Sequence, residues 1–219
     1  SVARMDQGIG TLIDHLKDLG LWESSVVLYL TDNGIAFPGA KTNIYEAALR
    51  LPLIVKTPGH AHSGTSSDAL VSWVDITPTL LDYAGILDEA SERIARVYED
   101  NKDRWDSTET PGFHGRSMRE VFESPDARLR DRVHASHTFH EVTMYYPMRA
   151  VITERYKLIW NINHQLPFPH AVDLWNSATW QWAVERPETL FGGRPVDAFT
   201  HRPEFEFFDL SEDPFETTN

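Results

Sequence analysis

The sequence has no cysteine, which excludes disulfides and thiolate-held metals and leaves the redox compartment undetermined. It also lacks any apolar run near the ~20 residues that a membrane-spanning helix requires, so no span is expected. Basic residues are scarce: 20 Lys and Arg stand against 33 Asp and Glu, a formal net charge of −13. Nucleic acid and anionic membrane surfaces would be repelled by that balance and are excluded as partners. A polyanionic ligand would need a local cationic cluster, for which Lys41, Arg149 and the histidines are the available groups. No internal repeat, low-complexity tract or signal-peptide pattern is visible, and the first residues read as the interior of a domain.

What is present is enough for a core: 219 residues, 41% hydrophobic and 24% charged, make one large domain or two small ones. Residues 6–19 set Ile9, Leu12, Ile13 and Leu16 on one face with Gly20 as a C-terminal stop, which predicts an amphipathic helix. The apolar run Val26 to Leu30 follows as a strand, then a polar loop, then a second apolar run from Leu51 to Val55. Pro58-Gly59 opens a Gly/Ser-rich loop that continues towards Ser67. Thr77-Pro78 reads as an N-cap with proline at the first helical position, and Thr79 to Ala84 as a short helix ended by Gly85. Short, unalternating strands between helices predict an α/β fold with a parallel sheet buried on both faces.

From Asp88 to Pro111 the composition turns charged and polar, predicting a solvated helix and loop at a domain junction. Beyond it, strand signals dominate over Arg132 to Thr138, Met148 to Thr153 and Tyr156 to Asn161, with Glu154-Arg155 as a hairpin turn. The tryptophan-rich stretch Trp160 to Trp182 reads as a packed loop with a short helix, and Phe205 to Leu210 as the final strand. Trp160, Trp175, Trp180 and Trp182 suit core packing better than sugar stacking.

Thr31-Asp32-Asn33-Gly34 carries the chemistry. An Asp and an Asn at the end of a buried strand supply hard oxygen ligands for a divalent cation such as calcium, and Lys41, eight residues after Asn33, supplies a point charge for an anion. In open α/β sheets ligands sit beyond the carboxyl ends of strands, where Asp32 and Asn33 fall. The same letters also read as an ordinary turn, since Asp-Asn-Gly is a common turn former.

The wording around these residues, TDNGIAFPGAKTNIYEAALRLPLIV, resembles the sulfatase segment that carries the last metal ligands and a sulfate-contacting basic residue. HEVTMYYPMR, from His140 to Arg149, resembles a block of the heparan N-sulfatases, and FEFFDLSEDPFETTN is similar to the pattern that closes many sulfatases. The resemblance implies the C-terminal part of an alkaline-phosphatase-like parallel-sheet domain over residues 1–87 and a charged connecting segment over 88–111. A small, incomplete α+β domain with an antiparallel sheet would follow over 112–219.

By the same resemblance, Asp32 and Asn33 match calcium ligands and Lys41 the catalytic basic residue that holds a sulfate oxygen. Heparan N-sulfatases usually have Arg at that position; Lys keeps the charge without the bidentate fork. His140 and Glu141 are expected to line the substrate pocket, with surface or structural roles as the alternative. Tyr146 reads as core packing and Arg149 as an inter-strand salt bridge. His60-Ala61-His62 is better explained as a loop than as a metal pair, and the other histidines show no ligand spacing.

Sulfatases use a formylglycine made within a Cys/Ser-x-Pro-Ser/Ala-Arg motif. No such motif occurs here, since Ser124-Pro125 is not followed by the arginine. The nucleophile is therefore expected upstream of Ser1, and these residues alone are expected to be inactive. The implied activity of the full-length protein is calcium-dependent hydrolysis of sulfate esters or N-sulfate groups, with N-sulfoglucosamine of heparan-type glycosaminoglycans as the expected substrate. Phosphonate or phosphate diester hydrolysis within the same superfamily and a non-catalytic sugar-binding module are the alternatives. The family implies a periplasmic, secreted or lysosomal location. A parallel sheet lacking strands would expose edges and an apolar face, for which a homo-oligomer is one form of cover.

Overall fold

The computed structural model describes residues 2–59, 62–104, 112–142 and 144–219. His60 and residues 105–111 of the charged segment lie outside these. The chain divides into two compact units, one of Ser1–Tyr29 with Ile54–Leu129 and one of Leu30–Leu53 with Arg130–Asn219.

In the first unit, helix α1 (Val2–Asp18) starts four residues before the expected helix and ends where Gly20, at φ 68°, takes the left-handed turn that glycine adopts without strain. Its apolar stripe is only partly covered, with Ile9, Ile13 and Leu16 half-buried and Leu12 exposed. Strand β1 (Val27–Leu30) pairs with β2 (Leu53–Lys56) in a two-stranded sheet whose residues stay partly exposed, Ile54 among the most open. The two-face burial expected of a larger sheet is not reached, because among the described residues each strand has one neighbour.

The next helix departs from its predicted cap. Ser72 and Asp75 form a capping box around a 3₁₀ turn, Trp73–Asp75, and α3 (Ile76–Tyr83) continues from it. Thr77 is thus already helical and Pro78 is the third residue of the helix, where a missing N–H costs nothing. The buried Asp75 carboxylate closes this turn rather than capping α3, accepting from the amides of Ser72 and Arg116 at 2.8 Å each. Thr79 Oγ1 donates to the Asp75 carbonyl and accepts the Met118 amide, joining α3 to the segment ahead of α5 (Arg119–Glu123). Between them α4 (Leu87–Asp100) buries no residue, as its polar composition predicts.

The second unit is built on an antiparallel sheet of order β3-β4-β5-β8, from β3 (Arg132–His140), β4 (Met144–Thr153), β5 (Tyr156–Asn161) and β8 (Phe205–Asp209). β4 begins four residues earlier than expected and contains Pro147. The register steps from His137↔Met148 to Phe139↔Tyr145, so an extra β4 residue bulges at Tyr146-Pro147. A bulge is where a strand tolerates a residue without an N–H. The tryptophan-rich stretch folds into two short helices, α6 (Val172–Trp175) and α7 (Ala178–Val184), followed by a small hairpin of β6 (Leu190–Phe191) and β7 (Arg194–Pro195). Of the four tryptophans only Trp180 is core, packed with Phe191 and Phe199; Trp160, Trp175 and Trp182 are exposed.

On β5 the two faces depart from the usual assignment, although most of the inner face is apolar core. β5 turns Tyr156, Leu158 and Trp160 outward, where Tyr156 stacks on Phe207 and Trp160 on Phe205. Its inward residues are Lys157, Ile159 and Asn161. Lys157 is 0% exposed, with its ammonium 2.7 Å from Glu46 of α2 (Glu46–Leu49) and 2.8 Å from Glu216, in an ionic contact rather than an aligned hydrogen bond. Glu206 of β8, also buried, accepts from Tyr45 Oη at 2.8 Å and from Arg194 at 2.9 Å. Burial pushes the Tyr45 hydroxyl up to about 12.

Two stability tests follow from this interior. Lys157→Met leaves Glu46 and Glu216 facing each other without a counter-ion, and should lower unfolding free energy by about 3–5 kcal/mol in a denaturant titration; a loss under about 1 kcal/mol would refute the role. His170 packs against Phe168, Trp175 and Trp180, and this burial, with a smaller effect of Arg202, pushes its imidazole down to about 4. The folded state keeps the ring neutral while the unfolded chain protonates near pH 6.5, so stability is full above ~6.5 and falls as pH drops towards about 4. His170→Gln should flatten the decline of Tm across that window, leaving a residual slope from His137, which burial also holds below its ordinary value. An unaltered slope would show that the ring is not what titrates.

Candidate functional site

The segment bearing Asp32, Asn33 and Lys41 belongs to the same unit as the antiparallel sheet. The chain leaves β1, turns through Asp32 and Asn33, and closes against α2 at Gly34. A Cβ at Gly34 would lie 2.4 Å from the Ala47 carbonyl oxygen and 3.0 Å from Ala48 Cα, so only glycine lets the loop approach the helix this closely. Asp32 and Asn33 are both exposed on that loop. The Asn33 amide nitrogen donates to the Gly34 carbonyl at 2.7 Å, which leaves the side-chain oxygen as its group for a ligand.

That donor set fits part of a hard-cation site. A carboxylate and an amide oxygen on a braced loop are the oxygen ligands calcium takes, but it takes about six to eight. Among the described residues no group of three or more His, Cys, Asp or Glu is placed to hold a metal. Asp32 and Asn33 thus fit as two ligands and not as a complete cage.

Lys41 is held from both ends. Its amide donates to the Ile35 carbonyl at 3.1 Å, and its own carbonyl accepts from Thr42 Oγ1 and from the Asn43 amide group. At the tip, Nζ lies 2.6 Å from Asp173 Oδ2 in α6, with the two side chains 25% and 48% exposed. The Lys41 ammonium holds the Asp173 carboxyl below its ordinary range. Behind Lys41, Asn43 Oδ1 accepts from the buried Arg202 at 2.7 Å, and that guanidinium sits 3.7 Å from the Phe168 ring centre.

His140 and Glu141 occupy the tip of the β3–β4 hairpin, where Glu141 takes φ 59°. Their side chains stand 3.9 Å apart and are 41% and 39% exposed, beside exposed Phe139, Val142 and Tyr145. The HEVTM block is therefore a hairpin end running into β4, and Thr143 lies outside the described residues. Tyr146 is core, as expected. Among the described residues no carboxylate is recorded against Arg149, which instead donates to the carbonyls of His137 and Met148. Sequence reasoning missed Asp173, Glu206, Arg194 and Arg202, each of which has a partner over a hundred positions away; no local signal marks them.

Residues 1–86 match the sulfatase family model. Over its whole length the chain is 34% identical, across 226 aligned positions, to N-sulphoglucosamine sulphohydrolase of Homo sapiens, of which it covers 42%. The chain is thus similar to sulfatases, through a family model over its first 86 residues and through this relative over its whole length. The chain is also 34% identical over 91 residues to N-acetylglucosamine-6-O-sulfatase of Bacteroides thetaiotaomicron, covering 39% of this chain and 16% of that one. Its fold matches, with a TM-score of 0.64 and 20% identity, a structure solved in complex with its substrate D-glucosamine-2-N,6-O-disulfate, over 100% of this chain and 34% of that chain. It thus spans less than half the length of these relatives.

The loop of Asp32 and Asn33 depends on one contact, and Gly34→Ala tests it. The clash with the Ala47 carbonyl should lower stability by about 2 kcal/mol, a fall in Tm of roughly 4–8 °C for a protein of this size. An unchanged melt would mean that the loop is not braced by α2.

Proposed function

We propose that this chain is the C-terminal portion of a calcium-dependent sulfatase that removes sulfate ester or N-sulfate groups from glucosamine of heparan-type glycosaminoglycans. The observation that carries this reading is the whole-chain likeness to human N-sulphoglucosamine sulphohydrolase. In this reading Asp32 and Asn33 ligate the metal, Lys41 contacts a sulfate oxygen, and His140 and Glu141 contact the sugar. Bound calcium would supply positive charge against the ester oxygens. The chain's own residues bind and orient: Lys41 presents a fixed ammonium to the transferred group, an electrostatic role worth most where water is excluded. A carboxylate at position 141 suits the hydroxyl and amine groups of a glucosamine. The nucleophile is not among these residues, which contain no formylglycine motif.

The test uses the full-length protein. Asp32→Ala should abolish turnover of an N-sulfated glucosamine and remove the rise in Tm on adding calcium. Glu141→Gln should cut turnover of that sugar about ten- to a hundredfold while sparing a small aryl sulfate, the loss expected when a buried polar partner goes unpaired. Full activity with Asp32→Ala would end the metal assignment, and a parallel fall on both substrates would make Glu141 structural.

A further inference from the structure

The Lys41–Asp173 pair differs from an ordinary surface salt bridge in being anchored on both sides. Asp173 Oδ1 accepts the Leu174 amide at 3.0 Å while Oδ2 takes Lys41 Nζ at 2.6 Å, so both carboxylate oxygens are engaged. The Lys41 backbone is fixed by Ile35, Thr42 and Asn43. With the Lys41 backbone and the Asp173 carboxylate both held, less freedom is lost in forming the pair than in an ordinary exposed one. An ammonium has three donors, so Lys41 keeps two for another acceptor while Asp173 holds the third.

From this geometry we infer that Asp173 is a specificity-determining counter-ion of Lys41, which weakens the site's hold on free sulfate more than on a sulfate ester. The inference rests on the reading of Lys41 as the sulfate-contacting residue. An anion bound to the open side of the ammonium lies within a few ångströms of a fixed carboxylate, and like charges at that range repel measurably outside bulk water. A sulfate ester or N-sulfate carries one negative charge and released inorganic sulfate carries two. The repulsion therefore acts about twice as strongly on the product, and Asp173 retakes Lys41 as the product leaves. Asp173 thereby separates substrate binding from product retention, which a lone lysine cannot do because it attracts the dianion more.

Inorganic sulfate is the probe, measured as a competitive inhibitor of a small monoanionic aryl sulfate in the full-length protein. Asp173→Asn keeps an acceptor for Lys41 and removes the charge, so it should tighten sulfate by about three- to tenfold and lower the aryl sulfate KM by less, an effect that fades at high salt. Asp173→Glu should stay near wild type. The sign is the discriminating feature, since a merely structural role would weaken both ligands. Asp173→Ser gives the same readout if the Asn variant melts early. If Lys41→Ala leaves sulfate affinity unchanged, the reading of Lys41 fails and this inference falls with it. If Lys41→Ala weakens sulfate but neither uncharged Asp173 variant tightens it, Lys41 stands and the role of Asp173 is overturned.

Discussion

Charge buried on the inner face of the antiparallel sheet is the constraint on which the second unit depends. Lys157 with Glu46 and Glu216, Glu206 with Arg194 and Tyr45, and Arg202 with Asn43 all tie residues 43–46 to strands or to the segment between β5 and β8. Each group is costly to desolvate alone, and replacing such pairs by apolar residues is often neutral or stabilising, so net energy is not their evident contribution. What they impose is position. An apolar contact tolerates sliding, whereas an ammonium between two carboxylates, or a guanidinium stacked at 3.7 Å on Phe168 and bonded to one amide, has few alternative seats.

That positional demand reaches the candidate site through covalent continuity. Asn43 and Tyr45 are pinned by Arg202, Glu206 and Arg194, and Lys41 stands two residues before Asn43. Thr42 between them takes φ 64°, a conformation unusual for a β-branched residue, which persists where flanking contacts over-determine it. On the other side Gly34 is closed against α2, whose Glu46 is itself held by Lys157 and whose amide donates to Glu216. The loop of Asp32 and Asn33 and the lysine are thus braced by one set of buried charges.

Much of this was legible in the sequence, and the failures have physical causes. Local rules found the C-terminal end of α1, both ends of β5 and the solvated α4, because spacing, capping and turn chemistry act within a few residues. Tyr146 was read as core from its apolar setting, and it is. The β4 start was missed because Pro147 argues against a strand until the bulge that accommodates it is known. The start of α3 differs from the Thr77-Pro78 signal because a 3₁₀ turn boxed by Ser72 and Asp75 precedes it, and Asp75 is also held by the Arg116 amide, 41 positions on. The burial of Lys157 and exposure of Trp160 reverse what side-chain polarity suggests, since the partners that satisfy Lys157 are 111 positions before it and 59 after it.

The same reasoning bears on why a lysine suits position 41. Asp173 meets it with one oxygen, the other being committed to the Leu174 amide, so a bidentate fork would find only half a partner in its present pose. An ammonium matches a single acceptor without strain and keeps its remaining donors in a cone around the bond, free for groups of any orientation. A guanidinium is planar and would fix the direction in which it offers the rest. With lysine, the direction of the ion pair is set by the loop and by Asp173 rather than by the cation itself.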